Sequence, residues 1–295
     1  NLTKFLQTAK SEHHKEAKTQ IALIDTRLRR LRVPGSLKSR IELMAVKDFT
    51  LQALDIARNL DEKIFTGLSQ IYCRTTTTST KDCKSYKTFF DSYNAIASGC
   101  HQCYKVQVDV ETLDELLALH WFFKTLDIDS NNTRKCMVEL RKEAYGLYKG
   151  LIYCSSIKAA SNVKSYISSE LKTRTDLAPY ISIKRGCTEF SNMHKDYGDI
   201  GENGQIHEGI KQPEEWEILE KKHLKAKDII QVTPTLLEFN LGELLIMKNW
   251  IYYAKAMGDL SAASKYGHVI QNNNDFKKLV ISKKEAVLTR GNGHP

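Results

Sequence analysis

Between residues 103 and 190 the hydrophobic positions follow two periods in turn, one of two residues and one of three to four. Strict alternation predicts a half-buried strand, whereas spacing of three or four predicts an amphipathic helix. The alternation predicts four strands, at residues 104–109, 135–141, 148–154 and 180–185. The helical spacing predicts two helices, at residues 111–126 and 157–171. This order is that of a ferredoxin-like βαββαβ unit, so we expect an α+β fold in which both helices cover one face of the sheet.

Helical segments are predicted on both sides of this unit. Residues 2–31 carry apolar residues at helical spacing, and Pro34 and Gly35 separate them from a second helix that begins at Ser36. Pro213 begins another helix, and residues 235–257 are apolar enough to form a largely buried one. The expected organisation is a basic helical module at 1–72, a Cys-containing connector at 73–103, the βαββαβ unit at 104–190, a Gly-rich loop at 191–212, and C-terminal helices with a frayed tail at 213–295.

Positive charge is concentrated near the start of the chain. The formal net charge is +9, and the first 40 residues hold ten lysines and arginines against three acidic residues. Such an excess attracts the phosphates of RNA or DNA, although a solvated helix face docked on an acidic neighbour would have the same composition. The candidate polyanion-binding residues of this segment are Arg27, Arg29, Arg30, Arg32, Lys38 and Arg40.

Four of the seven cysteines lie in the connector, at Cys73, Cys83, Cys100 and Cys103. The last two form a Cys-x-x-Cys pair, which can present two thiolates to one metal ion. A structural zinc site or an iron–sulfur cluster is therefore one hypothesis, and inert packed thiols or redox chemistry are the alternatives. An odd number of cysteines in a long chain favours reduced thiols and a cytoplasmic location. No apolar stretch reaches the length of a membrane span.

The predicted strands place charged side chains on one face of the sheet. Because the helices cover the other face, we expect the polar face to be open to solvent or to a partner. A shift of one residue in the register of the last strand would put Arg185 on this face in place of its neighbour. The face is a candidate polyanion platform or catalytic site, and a solvated network of ion pairs is the alternative. Its polar residues are Lys105, Gln107, Asp109, Glu139, Arg141 and Lys184.

One strand segment carries a likeness to a known family. Residues 149–156 read Lys-Gly-Leu-Ile-Tyr-Cys-Ser-Ser and precede a predicted helix. This segment resembles the third strand and second helix of RNA-recognition motifs, and the strand containing Lys105 is placed like their first strand. Those domains stack bases on strand aromatics. The resemblance implies that Tyr153 stacks on a base, whereas Leu151 and Gln107 stand where other rings would be, so sequence-specific stacking is not expected.

These patterns leave three classes of function open. The first is a nucleic-acid-associated or polyanion-binding protein, which would use the basic helical arm and the polar sheet face. The second is a structural or adaptor subunit of a larger protein assembly, and the third is an enzyme with Glu139, Arg141 and Lys184 in its site. No high-specificity catalytic motif is present in the sequence. The candidate polyanion-binding residues of the strands are Lys105, Arg141, Lys149, Tyr153, Lys184 and Arg185.

Overall fold

A five-stranded antiparallel sheet forms the centre of the structure, which is a computed structural model. The structure describes residues 12–33, 35, 39–60, 64, 66–74, 83–128, 132–197, 212–224, 238–263 and 265–291. The strands are β1 (Gln70–Arg74), β2 (Tyr104–Val110), β3 (Arg134–Val138), β4 (Tyr148–Cys154) and β5 (Tyr180–Arg185). They lie in the order β1-β3-β4-β2-β5, and every neighbouring pair is antiparallel.

Helices account for most of the remaining described residues. They are α1 (Glu12–Arg30), α2 (Leu43–Ile56), α3 (Cys83–Tyr93), α4 (Ser98–His101), α5 (Leu113–Thr125), α6 (Ile157–Arg174), α7 (Glu214–His223), α8 (Leu241–Met257), α9 (Leu260–Ala263) and α10 (Asn274–Gly291). Short 3-10 turns follow β5 at Thr188–Asn192 and Lys195–Tyr197. None of the helices in this part of the chain is both long enough and apolar enough to cross a membrane.

The α+β class predicted from the sequence is confirmed, and the four predicted strands are present. The second of them, β3, ends at Val138 and not at residue 141. Just beyond it, the side chain of Glu139 accepts a hydrogen bond from the backbone N–H of Arg141. The strand β1 was not predicted. It pairs with β3 and extends the sheet at one edge, so part of the predicted connector belongs to the sheet.

Helix α5 is the centre of the hydrophobic core. A capping box formed by Thr112 and Glu115 begins this helix, and every residue from 116 to 124 is buried. One side of α5 packs on the sheet, where Phe123 lies directly over Gly150 of β4. The other side packs on α2, where the rings of Phe49 and Trp121 are 4.9 Å apart. The helix is therefore sandwiched between the sheet and a second helical layer.

The predicted N- and C-terminal helical segments share this same core. Helix α1 buries Ile21, Ile24 and Leu28 within the hydrophobic cluster that also contains α5 and α8. Helix α2 begins at Leu43, later than predicted, because the chain at Ile41 first forms a bridge with Thr175. The predicted cap Ser36, the Gly-rich residues 198–211 and the tail at 292–295 lie outside the described residues. Helix α10 was not predicted as a helix.

A smaller hydrophobic cluster lies beyond one end of the sheet. It joins α3 and the short helix α4 with the 3-10 turns after β5, and residues of α7 pack against it. Its buried rings include Phe89, Phe190 and Tyr197. This cluster holds the chain that follows β5 close to the sheet.

The contact between α5 and β4 leads to a prediction about stability. A Cβ atom at Gly150 would lie 2.7 Å from a methyl of Leu119 and 2.8 Å from the ring of Phe123. We expect Gly150→Ala to lower the free energy of unfolding by about 1–3 kcal/mol, measured by urea denaturation, because the core must be displaced. The control is Gly35→Ala, because no described atom outside its chain neighbours lies within 4 Å of a Cβ placed there. It should change the free energy of unfolding by less than about 0.5 kcal/mol. Equal urea-denaturation midpoints for the two variants would contradict the close packing of α5 on β4.

Candidate functional site

The face of the sheet opposite α5 and α6 carries most of the polar strand residues, and we call it the polar face. Side chains directly opposite one another on paired strands point to the same side of a sheet. Lys105 is opposite Tyr153 and Lys184, and Asp109 is opposite Lys149 and Tyr180. The members of the polar face are Tyr72, Lys105, Gln107, Asp109, Lys135, Lys149, Tyr153, Tyr180 and Lys184, with Glu139 and Arg141 just after β3.

Glu139 is the most strongly bound carboxylate of this face. It is fully buried, and it accepts hydrogen bonds from the guanidinium of Arg141 at 2.7 and 2.9 Å and from Lys149 Nζ at 3.0 Å. Burial alone would raise its pKa. The hydrogen bonds from Arg141 and the charge of Lys149 have the larger combined effect, and they lower the pKa of Glu139 to about 2. The carboxylate is therefore ionised at any physiological pH.

Three lysines of the polar face have no such partner. Among the described residues, no carboxylate lies within 4.0 Å of the Nζ atoms of Lys105, Lys135 or Lys184. Lys105 donates to the carbonyl of Gly186, and burial lowers its pKa to about 8. Burial also lowers the pKa of Lys135 and of Lys184. The polar face therefore contains partly desolvated positive charge that is not paired with carboxylates.

Aromatic rings accompany these lysines at both edges of the sheet. The Nζ of Lys135 lies 5.5 Å from the ring centre of Tyr72 and 5.5 Å from that of Tyr153. Tyr72 on β1 is 46% exposed, and Tyr180 on β5 is 71% exposed. The sequence had singled out Tyr153 alone. Tyr72 was missed because its strand was not predicted, whereas Tyr180 had a detectable signal, since it is the first residue of a predicted strand and faces the same side as Lys184.

The centre of the polar face is less open than the sequence suggested. Lys105, Gln107 and Lys149 are each only 5% exposed. The chain that follows β5 is one reason, since Gly186 lies against Lys105 and Glu189 is close enough to influence its pKa. Solvent access is therefore concentrated at the two edges of the sheet and at Arg141, whose side chain is 52% exposed.

Arg185, the alternative candidate on β5, points away from the polar face. It is buried and donates hydrogen bonds to the carbonyls of Tyr197 and His101 and to the hydroxyl of Tyr104. Its guanidinium also stacks near the ring of Tyr104, at 4.7 Å. Arg185 therefore fastens the segment after β5 to the sheet and is not placed to contact a polyanion. The register that puts Lys184 on the polar face is the one observed.

The basic residues of the N-terminal segment lie on the helical side of the sheet, because α1 packs against α2 and α8. Arg29 is paired with Asp25 and Glu238, and Arg40 is paired with Asp176. The remaining described arginines of this group are exposed, and they are Arg27, Arg30 and Arg32. Lys38 lies outside the described residues. The basic arm and the polar face are therefore separate surfaces.

The structure does not bring the four predicted metal ligands together. Cys73 is buried in the main core, Cys100 is buried in the smaller cluster, Cys83 is exposed at the start of α3, and Cys103 lies against Gly186. In the described part of the chain, the only group of three or more such ligands within 4.8 Å consists of Cys73, Cys136 and His120. The predicted Cys-x-x-Cys pair is not part of it.

This Cys-His-Cys group combines a strand edge with a core helix. The Sγ of Cys73 lies 3.3 Å from Nδ1 of His120. Burial raises the pKa of Cys73, but its hydrogen bond with Cys136 and the neighbouring His120 outweigh burial and lower that pKa to about 5. Burial and Cys73 raise the pKa of Cys136. The group could hold a metal ion. Sequence reasoning missed His120 because it occupies one of the apolar positions of its helix.

No protein-family model, curated protein or solved structure matches this chain. The likeness to RNA-recognition motifs therefore remains a likeness of short segments, and function must be argued from the geometry of the site.

The ion pairs of Glu139 predict a pH-dependent stability. Folding lowers the pKa of Glu139, so between about pH 4.5 and 2 the unfolded chain binds more protons than the folded one. The stabilisation from these ion pairs is therefore fully present above about pH 4.5 and is lost as the pH falls toward 2. We expect Glu139→Gln to lower the free energy of unfolding by about 3 kcal/mol at pH 7, and this deficit should shrink below pH 4.5. Chemical denaturation across this pH range measures it.

Glu143→Gln is the matched control, because Glu143 is exposed in the turn after β3 and has no hydrogen bond to the described residues. It should leave stability unchanged at every pH. A constant deficit for Glu139→Gln from neutral to acid pH would mean that its charge does not stabilise the fold.

Proposed function

We propose that this protein binds single-stranded nucleic acid across the polar face, mainly through the phosphate backbone. The observation that carries the proposal is the composition of that face. It combines three lysines that lack a carboxylate partner among the described residues with tyrosines at both edges of the sheet. Proteins that bind single strands without reading sequence use this combination of positive charge and stacking rings.

The lysines supply the electrostatic part of the proposed interaction. Lys105, Lys135 and Lys184 hold positive charge in a partly desolvated setting, which burial alone makes unfavourable. A phosphate near their ammonium groups would offset this cost and favour the charged form. Arg141, which is half exposed, adds a guanidinium at the margin of the same face. Each phosphate contact of this kind releases counterions, so binding should be strongly salt-dependent.

The tyrosines supply stacking surfaces. The exposed rings of Tyr72 and Tyr180 belong to β1 and β5, and the four strand spacings between these strands put them roughly 19 Å apart across the sheet. A strand of several nucleotides can cover that distance, with the lysines between its ends. Stacking on a ring tolerates every base, so weak sequence preference is part of the proposal.

We also infer that residues 104–185 form a ferredoxin-like unit, extended at one edge by β1. The inference is supported by the chain order β2-α5-β3-β4-α6-β5 and by the strand order β3-β4-β2-β5 with antiparallel neighbours. In such a unit both helices cover one face and leave the other for ligands. The fold alone carries no function, since it hosts many unrelated activities.

The proposal predicts the effect of removing one lysine. We expect Lys184→Ala to weaken binding of a labelled oligothymidylate or oligouridylate several-fold at low salt. It should also reduce the slope of log affinity against log salt by about one, because one phosphate contact is lost. Fluorescence anisotropy over a salt series measures both. Lys158→Ala, an exposed lysine on α6, is the matched control and should bind like the unchanged protein. Salt-independent binding, or none at low salt, would contradict the proposal.

The stacking component predicts a different pattern at Tyr180. Tyr180→Ala should lower the affinity for the same oligonucleotide by roughly 5- to 150-fold, the loss of one stacked base, whereas Tyr180→Phe should retain it. Stability should be unaffected, because this side chain is mostly exposed. Tyr166→Ala, on the helical side of the sheet, is the control. An equal loss in the Phe variant would show that the ring does not stack.

A further inference from the structure

Three metal-ligating side chains meet in the core between the sheet and α5. The Sγ atoms of Cys73 and Cys136 and a ring nitrogen of His120 all lie within 4.8 Å of one another. Cys73 comes from β1, Cys136 from the neighbouring strand β3, and His120 from α5. All three residues are buried. We propose that this Cys-His-Cys group binds one zinc ion, with a structural role.

The spacing of the ligand atoms is close to that of a tetrahedral zinc site. Zn–S bonds of about 2.3 Å and Zn–N bonds of about 2.0 Å at tetrahedral angles put neighbouring ligand atoms about 3.5–3.8 Å apart. The Sγ of Cys73 and Nδ1 of His120 are 3.3 Å apart. Cys73 and His120 are therefore already close to the separation that a shared zinc ion requires.

Charge balance and ligand chemistry favour zinc. Two thiolates neutralise a divalent ion, and a neutral imidazole adds no charge, so the occupied site would be electrically neutral. Neutrality matters in a core position, where an uncompensated charge is strongly unfavourable. Thiolate and imidazole are soft ligands that select zinc over magnesium or calcium, which prefer oxygen.

The surroundings of the second ring nitrogen of His120, Nε2, are also those expected for a metal-bound histidine. Its Nε2 is buried and has no hydrogen-bond partner among the described residues, and Oε1 of Glu243 lies 3.8 Å away. A metal on Nδ1 would place the ring proton on Nε2, facing this carboxylate, which is the usual arrangement for zinc-bound histidine. Glu243 is held in place by the N-cap Asn240 and by Lys124 Nζ at 2.8 Å. Glu243 is thus a positioning residue for the ring.

The location of the group explains what the ion would do. Among the described strands, β1 lies at the edge of the sheet and has β3 as its one neighbour. Its register shifts between Tyr72 and Arg74, so Cys73 lies where the pairing is irregular. A zinc ion would tie this edge strand to β3 and to α5 at that point. With three protein ligands, the fourth tetrahedral position would be taken by a water molecule, which leaves the site electrically neutral.

Elemental analysis and cobalt substitution test the proposal on the full chain. Protein purified under reducing conditions, without chelator, should contain one zinc ion per chain. After chelation, Co²⁺ added to the unchanged protein should produce thiolate-to-cobalt charge-transfer absorption and the intense visible bands of tetrahedral cobalt. Cys136→Ser should lose the zinc and the charge-transfer band. Cys154→Ser, which alters a different buried cysteine on β4, should retain both.

The cobalt titration needs no variant, so the proposal stays testable even if Cys136→Ser fails to fold. Three results would overturn it. One is a chelated protein that gives no charge-transfer band with Co²⁺. Another is full zinc content in Cys136→Ser with loss in Cys103→Ser, which would assign the metal to the Cys-x-x-Cys pair. The third is a Cys73–Cys136 disulfide in peptide mapping of protein kept under reducing conditions.

Discussion

The rest of the structure depends on the burial of α5 from both sides. The sheet packs on one side of this helix, while α2 and α8 pack on the other, so its whole middle is removed from water. A helix in this position is mostly apolar, but α5 also carries His120 and Lys124. Both must find partners inside the protein, because unpaired buried polar groups are unfavourable. Lys124 forms an ion pair with Glu243 at the start of α8, and His120 contacts the sulfur of Cys73 at the edge of the sheet.

The polar face follows from the same layering. Since the helices occupy one side of the sheet, the charged strand residues must collect on the other. The balance of charge there is uneven, because Glu139 is shared by Arg141 and Lys149 and Asp109 is engaged by Gln107. Among the described residues, no carboxylate lies within 4.0 Å of the Nζ atoms of Lys105, Lys135 and Lys184.

The sequence predicted the elements whose hydrophobic period is long and regular. Strands β2 and β5 alternate between polar and apolar residues over most of their length, whereas β4 is mostly apolar. The positions of all three were predicted closely. Strand β1 was not found, since it has only Ile71 and Cys73 on its buried side, and pairing with distant β3 determines its conformation. The polar face was predicted from alternation. Its partial covering was not, because that depends on how the chain folds back after β5.

The Cys-His-Cys group shows even more clearly that periodicity in the sequence does not predict contacts between distant elements. Nearness in sequence had grouped Cys73 with three other cysteines, yet its sulfur contacts a histidine 47 residues away. His120 fitted the apolar period of its helix, so nothing local marked it as a ligand. Contacts between elements that are far apart along the chain arise from topology, which periodicity does not encode.

The packing of α1 on α8 has a consequence for how the protein is made. Asp25 of α1 accepts a hydrogen bond from the backbone N–H of Leu241, the first residue of α8. These residues are 216 positions apart, so a ribosome adding about 5–20 residues per second needs roughly 10–40 s to supply the partner. During that interval the apolar stripe of Ile21, Ile24 and Leu28 has no α8 to cover it. Until residues 241–257 have been synthesised, α1 can already pack on α2, which it also contacts in the folded protein, but its contact with α8 cannot form.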